Sequence, residues 1–122
     1  MSTAVNTGHV LLVEDEPLIA VTLTDDLAAA GYGVRHTADG TEALRLLAQD
    51  RFDAVVTDLR LPGASGVEVA RAASRSRTSV LVITAHAAGR GDDLHQLGAA
   101  VLQKPFANRV VLDWLRAAPV LS

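Results

Sequence analysis

The stretch VVTDLRLPGASG, residues 55–66, combines an apolar run, a single aspartate and a Pro-Gly turn. The run FDAVVTD (52–58), which overlaps its first residues, has the length and bounding residues of a buried β-strand. The loop LRLPGAS then carries the chain into GVEVARAASRS (66–76), which we predict to be helical. Asp58 therefore stands at the carboxyl end of a predicted strand.

The same alternation of strand and helix runs through the rest of the chain. The other predicted strands are 9–14, 32–38, 79–85 and 99–103, and the other predicted helices run from Pro17 to Gly31, from Asp39-Gly40 to near Asp50, over 92–98 and from about Phe106 to Ala117. Five strands and five helices in one domain predict an α/β fold, with a parallel sheet between two layers of helices. In such sheets, ligands bind outside the carboxyl ends of the strands, where the strand order reverses.

Length and composition limit the possible classes of function. The 122 residues suffice for one domain, which we place at 9–118 between a flexible tail (1–8) and a C-terminal tail (119–122), with no output domain. The net charge of -3 offers no basic surface for nucleic acid or for an anionic membrane. No cysteine is present, and no apolar run approaches the about 18 to 20 residues that span a bilayer. We therefore expect a cytoplasmic protein whose partners are proteins or small anions.

Charged and polar residues stand at the carboxyl ends of four predicted strands. Carboxylates brought together there repel one another, and a hard divalent cation such as Mg²⁺ would neutralise them. An aspartate can accept a phosphoryl group as an acyl phosphate, whose oxygens then need a metal, an ammonium and a hydroxyl donor. The set that favours this chemistry is Glu14, Asp15, Glu16, Asp58, Thr84 and Lys104, the last being the only lysine among 11 basic residues.

Each member of this set also has a simpler explanation. Residues 14–16 are equally well read as an acidic helix N-terminus stabilised by the helix dipole. Asp58 alone would be a turn cap, Thr84 an ordinary strand residue and Lys104 a solvated surface charge. The phosphoryl interpretation therefore depends on all of them occurring together.

Four segments in order closely resemble the receiver domain of two-component response regulators, over essentially the whole chain. They are LLVEDEP (11–17), VVTDLRLPGASG (55–66), VLVITAH (80–86) and LQKPF (102–106). Each segment is a weak signal alone, whereas the four together at these spacings are specific. The resemblance implies a flavodoxin-like, doubly wound (βα)5 fold with a parallel sheet of strand order 2-1-3-4-5.

The resemblance also implies roles in phosphorylation. Asp58 would be the phosphoacceptor, and a histidine kinase or histidine phosphotransfer protein would be the phosphoryl donor. Asp15 would coordinate Mg²⁺, or Mn²⁺ in its place, directly, while Glu14 would act largely through water. Asp58 and the backbone carbonyl of Arg60 would complete the protein ligands.

Further roles follow from the same resemblance. Thr84 would hydrogen-bond the phosphoryl group and move on activation, and Lys104 would pair with that group. Pro105 resembles the family's cis-proline after the lysine. Arg60 and His86, two residues after Asp58 and Thr84, would tune the access of water, and their bulk predicts slow self-hydrolysis.

Three features depart from the family pattern. Glu14 replaces the more usual aspartate, a change that should preserve metal binding. Val101 stands where the family has its switch aromatic, and the spacing from Gly98 to Lys104 is one residue short, so the usual coupling of Thr84 to an aromatic is not predicted. The segment after the fourth strand is Gly-rich, and the fourth helix is expected to be short, mobile or partly unfolded.

Our lead hypothesis is a stand-alone receiver, a monomer or weak dimer that catalyses only its own phosphorylation and slow dephosphorylation. It would signal by phosphorylation-dependent binding of a downstream protein, or serve as a phosphate sink. A phosphatase of the haloacid dehalogenase type is one alternative, but it requires a second Asp where Arg60 stands. The other alternative is an interaction module with a vestigial acidic pocket.

Overall fold

The computed structural model describes residues 8–85 and 91–117 of the chain. Within them, the elements are β1 (His9–Val13), α1 (Pro17–Ala29), β2 (Gly33–Thr37), α2 (Gly40–Gln49), β3 (Ala54–Asp58), α3 (Gly66–Arg75), β4 (Ser79–Thr84), α4 (Gly91–Gln96), β5 (Ala100–Gln103) and α5 (Asn108–Ala117). Each lies within about two residues of its predicted bounds, a usual margin for element ends. His86 and nearly all of the two predicted tails lie outside the described residues.

The five strands form one parallel sheet in the order β2-β1-β3-β4-β5, which confirms the predicted topology. β3 is the central strand, and all five of its residues are buried. The chain passes from β1 to β2 on one side and then returns to β3 on the other. The strand order therefore reverses between β1 and β3, and the residues at their carboxyl ends are Glu14 and Asp58.

The core consists of two apolar layers, one on each face of the sheet, because successive side chains of a strand point to opposite faces. One layer joins α2, α3 and α4 to the sheet through Leu11, Val13, Ala43, Leu46, Val55, Val69, Ala70, Ala73, Val80, Val82 and Leu94. The other joins α1 and α5 to it through Val10, Leu12, Leu23, Leu27, Val56, Leu81, Ile83, Val111 and Leu115. Both faces of β1, β3 and β4 are thus covered, which explains their nearly continuous apolar sequences.

Local signals start the helices beside the carboxyl edge of the sheet. The Asp39 side chain caps α2 by accepting two backbone N–H bonds of its first turn, at 2.7 and 3.1 Å. Ser65 caps α3 in the same way, at 3.3 Å. Gly66 begins α3 so close to β3 that a Cβ there would lie 2.1 Å from the carbonyl oxygen of Asp58. Glycine at this position therefore lets α3 start directly against the end of the central strand.

The fourth helix is short, which is one of the alternatives that the sequence predicts. α4 comprises six residues, Gly91–Gln96, and its Leu94 is fully buried in the core layer under α2 and α3. Across residues 8–85 and 91–117, no helix combines the length and apolar character required to cross a membrane.

Candidate functional site

Asp58 is buried at the carboxyl end of the central strand, with 7% of its surface exposed. Its Oδ1 accepts a hydrogen bond from the backbone N–H of Leu59 at 2.8 Å, and its Oδ2 lies 2.9 Å from Nζ of Lys104. Lys104 follows β5 directly, and its own N–H donates to the carbonyl of Thr84 at 2.8 Å. The fold thus brings the aspartate and the only lysine of the chain together from two different strands.

Glu14, directly after β1, contributes a second carboxylate to this site and is completely buried. Its Oε2 accepts the backbone N–H of Glu16 at 3.0 Å and lies 3.4 Å from Nζ of Lys104. Its Oε1 is buried without a hydrogen-bond partner among the described residues. Since an unpaired buried carboxylate oxygen is costly, this atom indicates a position that a ligand would complete.

Glu16 contributes a third carboxylate; it belongs to the predicted acidic set at the strand ends, but the sequence assigned it no role of its own. Its Oε1 lies 2.7 Å from Nζ of Lys104, the shortest of that ammonium's three ion pairs. Carboxylate oxygens of Glu14, Glu16 and Asp58 all lie within 4.8 Å of one another. The one sequence signal for Glu16 is its position at the end of the acidic triplet, immediately before Pro17.

Two predicted metal ligands are exposed residues. Asp15 is exposed and is not one of the three clustered carboxylates. It lines a cavity of about 410 Å³ on the side of α1 that faces β2, together with Asp25 and His36. Arg60 is exposed. Their predicted roles as a direct ligand and as a carbonyl ligand stay predictions.

The residues assigned to phosphoryl binding and switching lie on the neighbouring strands. Thr84 ends β4 and is buried, with 3% of its surface exposed. Val101 is half-buried in β5, where it pairs with Val82 and packs against the core layer under α2 and α3. The peptide bond between Lys104 and Pro105 is cis.

The concentrated charge perturbs both kinds of titrating group. Burial, reinforced by the charge of Asp58, raises the pKa of Glu14 from 4.5 to about 7, although the N–H of Glu16 and the Lys104 charge oppose this shift. Burial alone would lower the pKa of Lys104, but its contacts with Glu16 and Asp58 outweigh burial and raise that pKa. The lysine therefore stays charged, while the Glu14 carboxyl group gains or loses its proton near pH 7.

The donor set fits a hard divalent cation. Its converging atoms are carboxylate oxygens, which Mg²⁺ and Mn²⁺ prefer, and no soft ligand is among them. One ammonium faces three carboxylates, so additional positive charge would stabilise the cluster. The unpaired Oε1 of Glu14 is a further reason for a cation at this place.

Comparison with known protein sequences points to one family. The family model for the response regulator receiver domain matches residues 10–116. Response regulator MprA of Mycolicibacterium vanbaalenii is 37% identical over 113 residues, which are 89% of this chain and 49% of that protein. The uncharacterized transcriptional regulatory protein YkoG of Bacillus subtilis is 42% identical over 80 residues, 64% of this chain and 35% of that protein. The chain spans about half the length of these curated relatives, or less.

Solved structures with the same fold lead to the same family. The receiver domain of the sensor histidine kinase PA1611 from Pseudomonas aeruginosa superposes with a TM-score of 0.82 at 30% identity, covering 94% of this chain and 98% of that one. That structure contains a magnesium ion coordinated in the active-site cleft. A CheY-like receiver domain protein from Methanospirillum hungatei gives a TM-score of 0.82 at 25% identity, covering 88% of this chain and 90% of that one.

Proposed function

This chain belongs to the family of response regulator receiver domains, and we propose that it accepts a phosphoryl group on Asp58 from a histidine kinase or a histidine phosphotransfer protein. The observation that supports this most directly is the position of Asp58. Its carboxylate lies at the switch point of the sheet, 2.9 Å from the ammonium of Lys104 and beside two further carboxylates. A charged cluster around one oriented carboxylate suits phosphoryl transfer.

In the proposed reaction, a carboxylate oxygen of Asp58 attacks the phosphorus atom of a phosphohistidine. A P–O bond forms, the P–N bond to the donor imidazole breaks, and its electron pair returns to the imidazole nitrogen, which takes up a proton. The phosphoryl oxygens then pair with the Lys104 ammonium, and the Thr84 hydroxyl donates to one of them. The carboxylate is already oriented for attack by the N–H of Leu59.

Mg²⁺ or Mn²⁺ would be held by Glu14, Asp15 and Asp58 and by the Arg60 carbonyl, and when bound it would supply charge neutralisation for the phosphoryl oxygens. The carboxylates of Glu14 and Asp58 already converge in the described structure. A magnesium ion in the cleft of the PA1611 receiver domain, at 30% identity, supports the same choice of cation here.

A protein donor is favoured by the apolar surface beside the site. Leu18 on α1 is 76% exposed, and it belongs to a larger apolar surface. With Ile19, Pro105 and Phe106 it lines a largely apolar groove of about 610 Å³ that also reaches Lys104. A donor protein that covers this groove would bring its phosphohistidine next to Asp58 and exclude water from the transfer.

We further propose that the chain acts as a signalling domain rather than a metabolic enzyme. Phosphorylation would shift an equilibrium between two surface states, and a downstream protein would bind one of them. A phosphate-sink role, in which the chain drains phosphoryl groups from a kinase, would use the same chemistry.

Intact mass spectrometry after incubation with acetyl phosphate and Mg²⁺ tests the assignment. We expect one phosphoryl adduct on the wild type, none on Asp58→Asn, and an unchanged adduct on the control Asp113→Asn, which alters an exposed acid on α5. An adduct that persists in Asp58→Asn would disprove the assignment. Profiling purified histidine kinases with the same readout would then identify the physiological donor.

One observation favours the alternative of a receiver-like interaction module without phosphorylation, namely Val101 at the position of the switch aromatic. Calorimetry with Mg²⁺ separates the two functions. If the chain is a receiver competent for phosphorylation, the wild type should bind Mg²⁺ and Asp15→Ala should bind it more weakly. If the pocket is vestigial, neither the wild type nor Asp15→Ala would bind Mg²⁺.

A further inference from the structure

The Lys104 ammonium has no free hydrogen in the described structure. An ammonium carries three N–H donors, and here they are directed at Asp58 at 2.9 Å, Glu16 at 2.7 Å and Glu14 at 3.4 Å. A phosphoryl oxygen on Asp58 can pair with Lys104 only if one of these carboxylates gives up its bond. The identity of that carboxylate decides how the lysine becomes available.

Exposure distinguishes the three candidates. The side chain of Glu14 is completely buried and that of Asp58 is 10% exposed, whereas that of Glu16 is 58% exposed. A buried carboxylate that loses its ammonium pays a desolvation penalty, while an exposed one returns to water at little cost. Asp58 loses its carboxylate charge when it becomes an acyl phosphate, so one N–H of Lys104 passes from that carboxylate to the phosphoryl group. A second N–H for another phosphoryl oxygen must come from Glu14 or Glu16, and of these two Glu16 is the partner that Lys104 can exchange more easily.

The local backbone keeps Glu16 available for this contact. Glu16 is the N-cap residue of α1, yet its side chain forms no capping hydrogen bond. Its backbone N–H donates to Oε2 of Glu14, which fixes the turn between β1 and α1. The carboxylate consequently reaches across to Lys104 instead of to the start of its own helix.

From this geometry we propose that Glu16 is a positioning residue, which pairs with Lys104 before phosphorylation and releases it to the phosphoryl oxygens afterwards. The inference rests on the proposed function, because it requires phosphorylation of Asp58. Glu16 also places a negative charge beside the path of an anionic phosphoryl donor. Glu16 therefore orients the lysine, but its negative charge also slows the approach of the phosphoryl donor.

Glu16→Gln tests the proposal, with Glu68→Gln as a matched control on α3 whose carboxylate forms none of the described ion pairs. At saturating Mg²⁺, we expect acetyl phosphate to modify Glu16→Gln roughly three- to ten-fold faster than the wild type, because the substitution removes one negative charge near the incoming anion. Glu68→Gln should react at the wild-type rate.

A second readout uses the fact that Lys104 is the only lysine in the chain. In protein labelled with ¹³Cε-lysine, one lysine resonance reports on this ammonium. Before phosphorylation it should shift in Glu16→Gln, and in the shorter Glu16→Asp that retains the charge, but not in Glu68→Gln. Glu16→Asp should accelerate the reaction less than Glu16→Gln does.

The outcomes separate this inference from the proposed function. A wild-type adduct together with unchanged rate and lysine resonance in Glu16→Gln would overturn the role of Glu16 and leave phosphorylation of Asp58 standing. Slower phosphorylation of Glu16→Gln than of the wild type, at an unchanged unfolding temperature, would also overturn the role of Glu16. A wild type that forms no adduct would overturn both.

Discussion

The two ends of the sheet differ in whether their charged side chains contact one another. At the amino end, a cavity of about 530 Å³ lies between the loops before β3 and β4. Asp53 accepts the backbone N–H of His9 there at 2.7 Å, and the Thr78 hydroxyl donates to the carbonyl of Phe52 at 3.3 Å. At the carboxyl end, Glu14, Glu16, Asp58 and Lys104 face one another instead.

The side chains at the amino end stabilise the fold, whereas those at the carboxyl end form the proposed reactive site. A side chain that bonds to the backbone of a neighbouring strand satisfies a polar group and fixes a loop. Side chains that converge on one another concentrate charge, and here they leave Oε1 of Glu14 unpaired. The carboxyl end is thus arranged for an additional ligand, and substitutions at the two ends should have different consequences.

Lys104→Gln should produce the largest effect, because Lys104 is the ammonium that neutralises the phosphoryl oxygens in the proposed reaction. We expect the rate of phosphorylation by acetyl phosphate to fall about a hundred- to a thousand-fold, as for removal of one preorganised donor, about 3–4 kcal/mol. Arg77→Gln, which removes a cation at the amino end, should leave the rate unchanged. Comparable rates for the two variants would contradict the contrast between the ends.

Glu14 should make the stability of the metal-free protein depend on pH. Its pKa rises from 4.5 to about 7 on folding, so between these values the folded state holds a proton that the unfolded state releases. The contribution of Glu14 to the free energy of unfolding is therefore complete below pH 4.5. It is lost as the pH rises through about 7, by up to about 3 kcal/mol. Urea unfolding over this range should show the loss in the wild type and in Glu68→Gln, but not in Glu14→Gln.

Asp53→Ala should cost stability without affecting the phosphorylation chemistry. It removes the acceptor for the His9 N–H at the start of β1, which is worth about 1 kcal/mol. Urea unfolding should show that loss relative to Asp50→Ala, a neighbouring exposed acid, while the phosphorylation rate and Mg²⁺ affinity stay at wild-type values. A reduced Mg²⁺ affinity would mean that the two ends are coupled.

The smallest effect is expected at Arg60, whose side chain should hinder the water that hydrolyses the acyl phosphate. Arg60→Ala should shorten the phosphoryl half-life a few-fold, while Arg71→Ala on the exposed side of α3 should not. Following the decay of the adduct by mass spectrometry measures both. An unchanged half-life in Arg60→Ala would show that bulk at this position does not control water access.

The strand pattern predicted a parallel sheet with Glu14, Asp58 and Lys104 at the carboxyl ends of its strands, and the resemblance to receiver domains supplied the strand order. Parallel strands align their carboxyl ends at one edge, so residues distant in sequence meet there once the order is known. The interpretation of Asp39-Gly40 as a helix start follows from equally local chemistry, since the aspartate caps the first turn of α2.

The directions of three consecutive acids were not predictable in the same way. Glu14 points into the buried cluster, Asp15 lies exposed outside it, and Glu16 reaches Lys104. These directions depend on the turn after β1, where Glu16 has extended backbone angles (φ -87°, ψ 114°) and Pro17 begins the helix. No residue pattern distinguishes the three carboxylates before that turn has formed.

The sequence by itself therefore determined the alternation of strands and helices, the family and the identity of the residues at each strand end, because periodicity and turn chemistry are local properties. Only the tertiary structure decided that Glu14 is buried with an unpaired oxygen and that Lys104 contacts three carboxylates at once. Burial and charge coupling arise where side chains at the carboxyl ends of β1, β3 and β5 meet in space, so neither property can be assigned to an isolated segment of the chain.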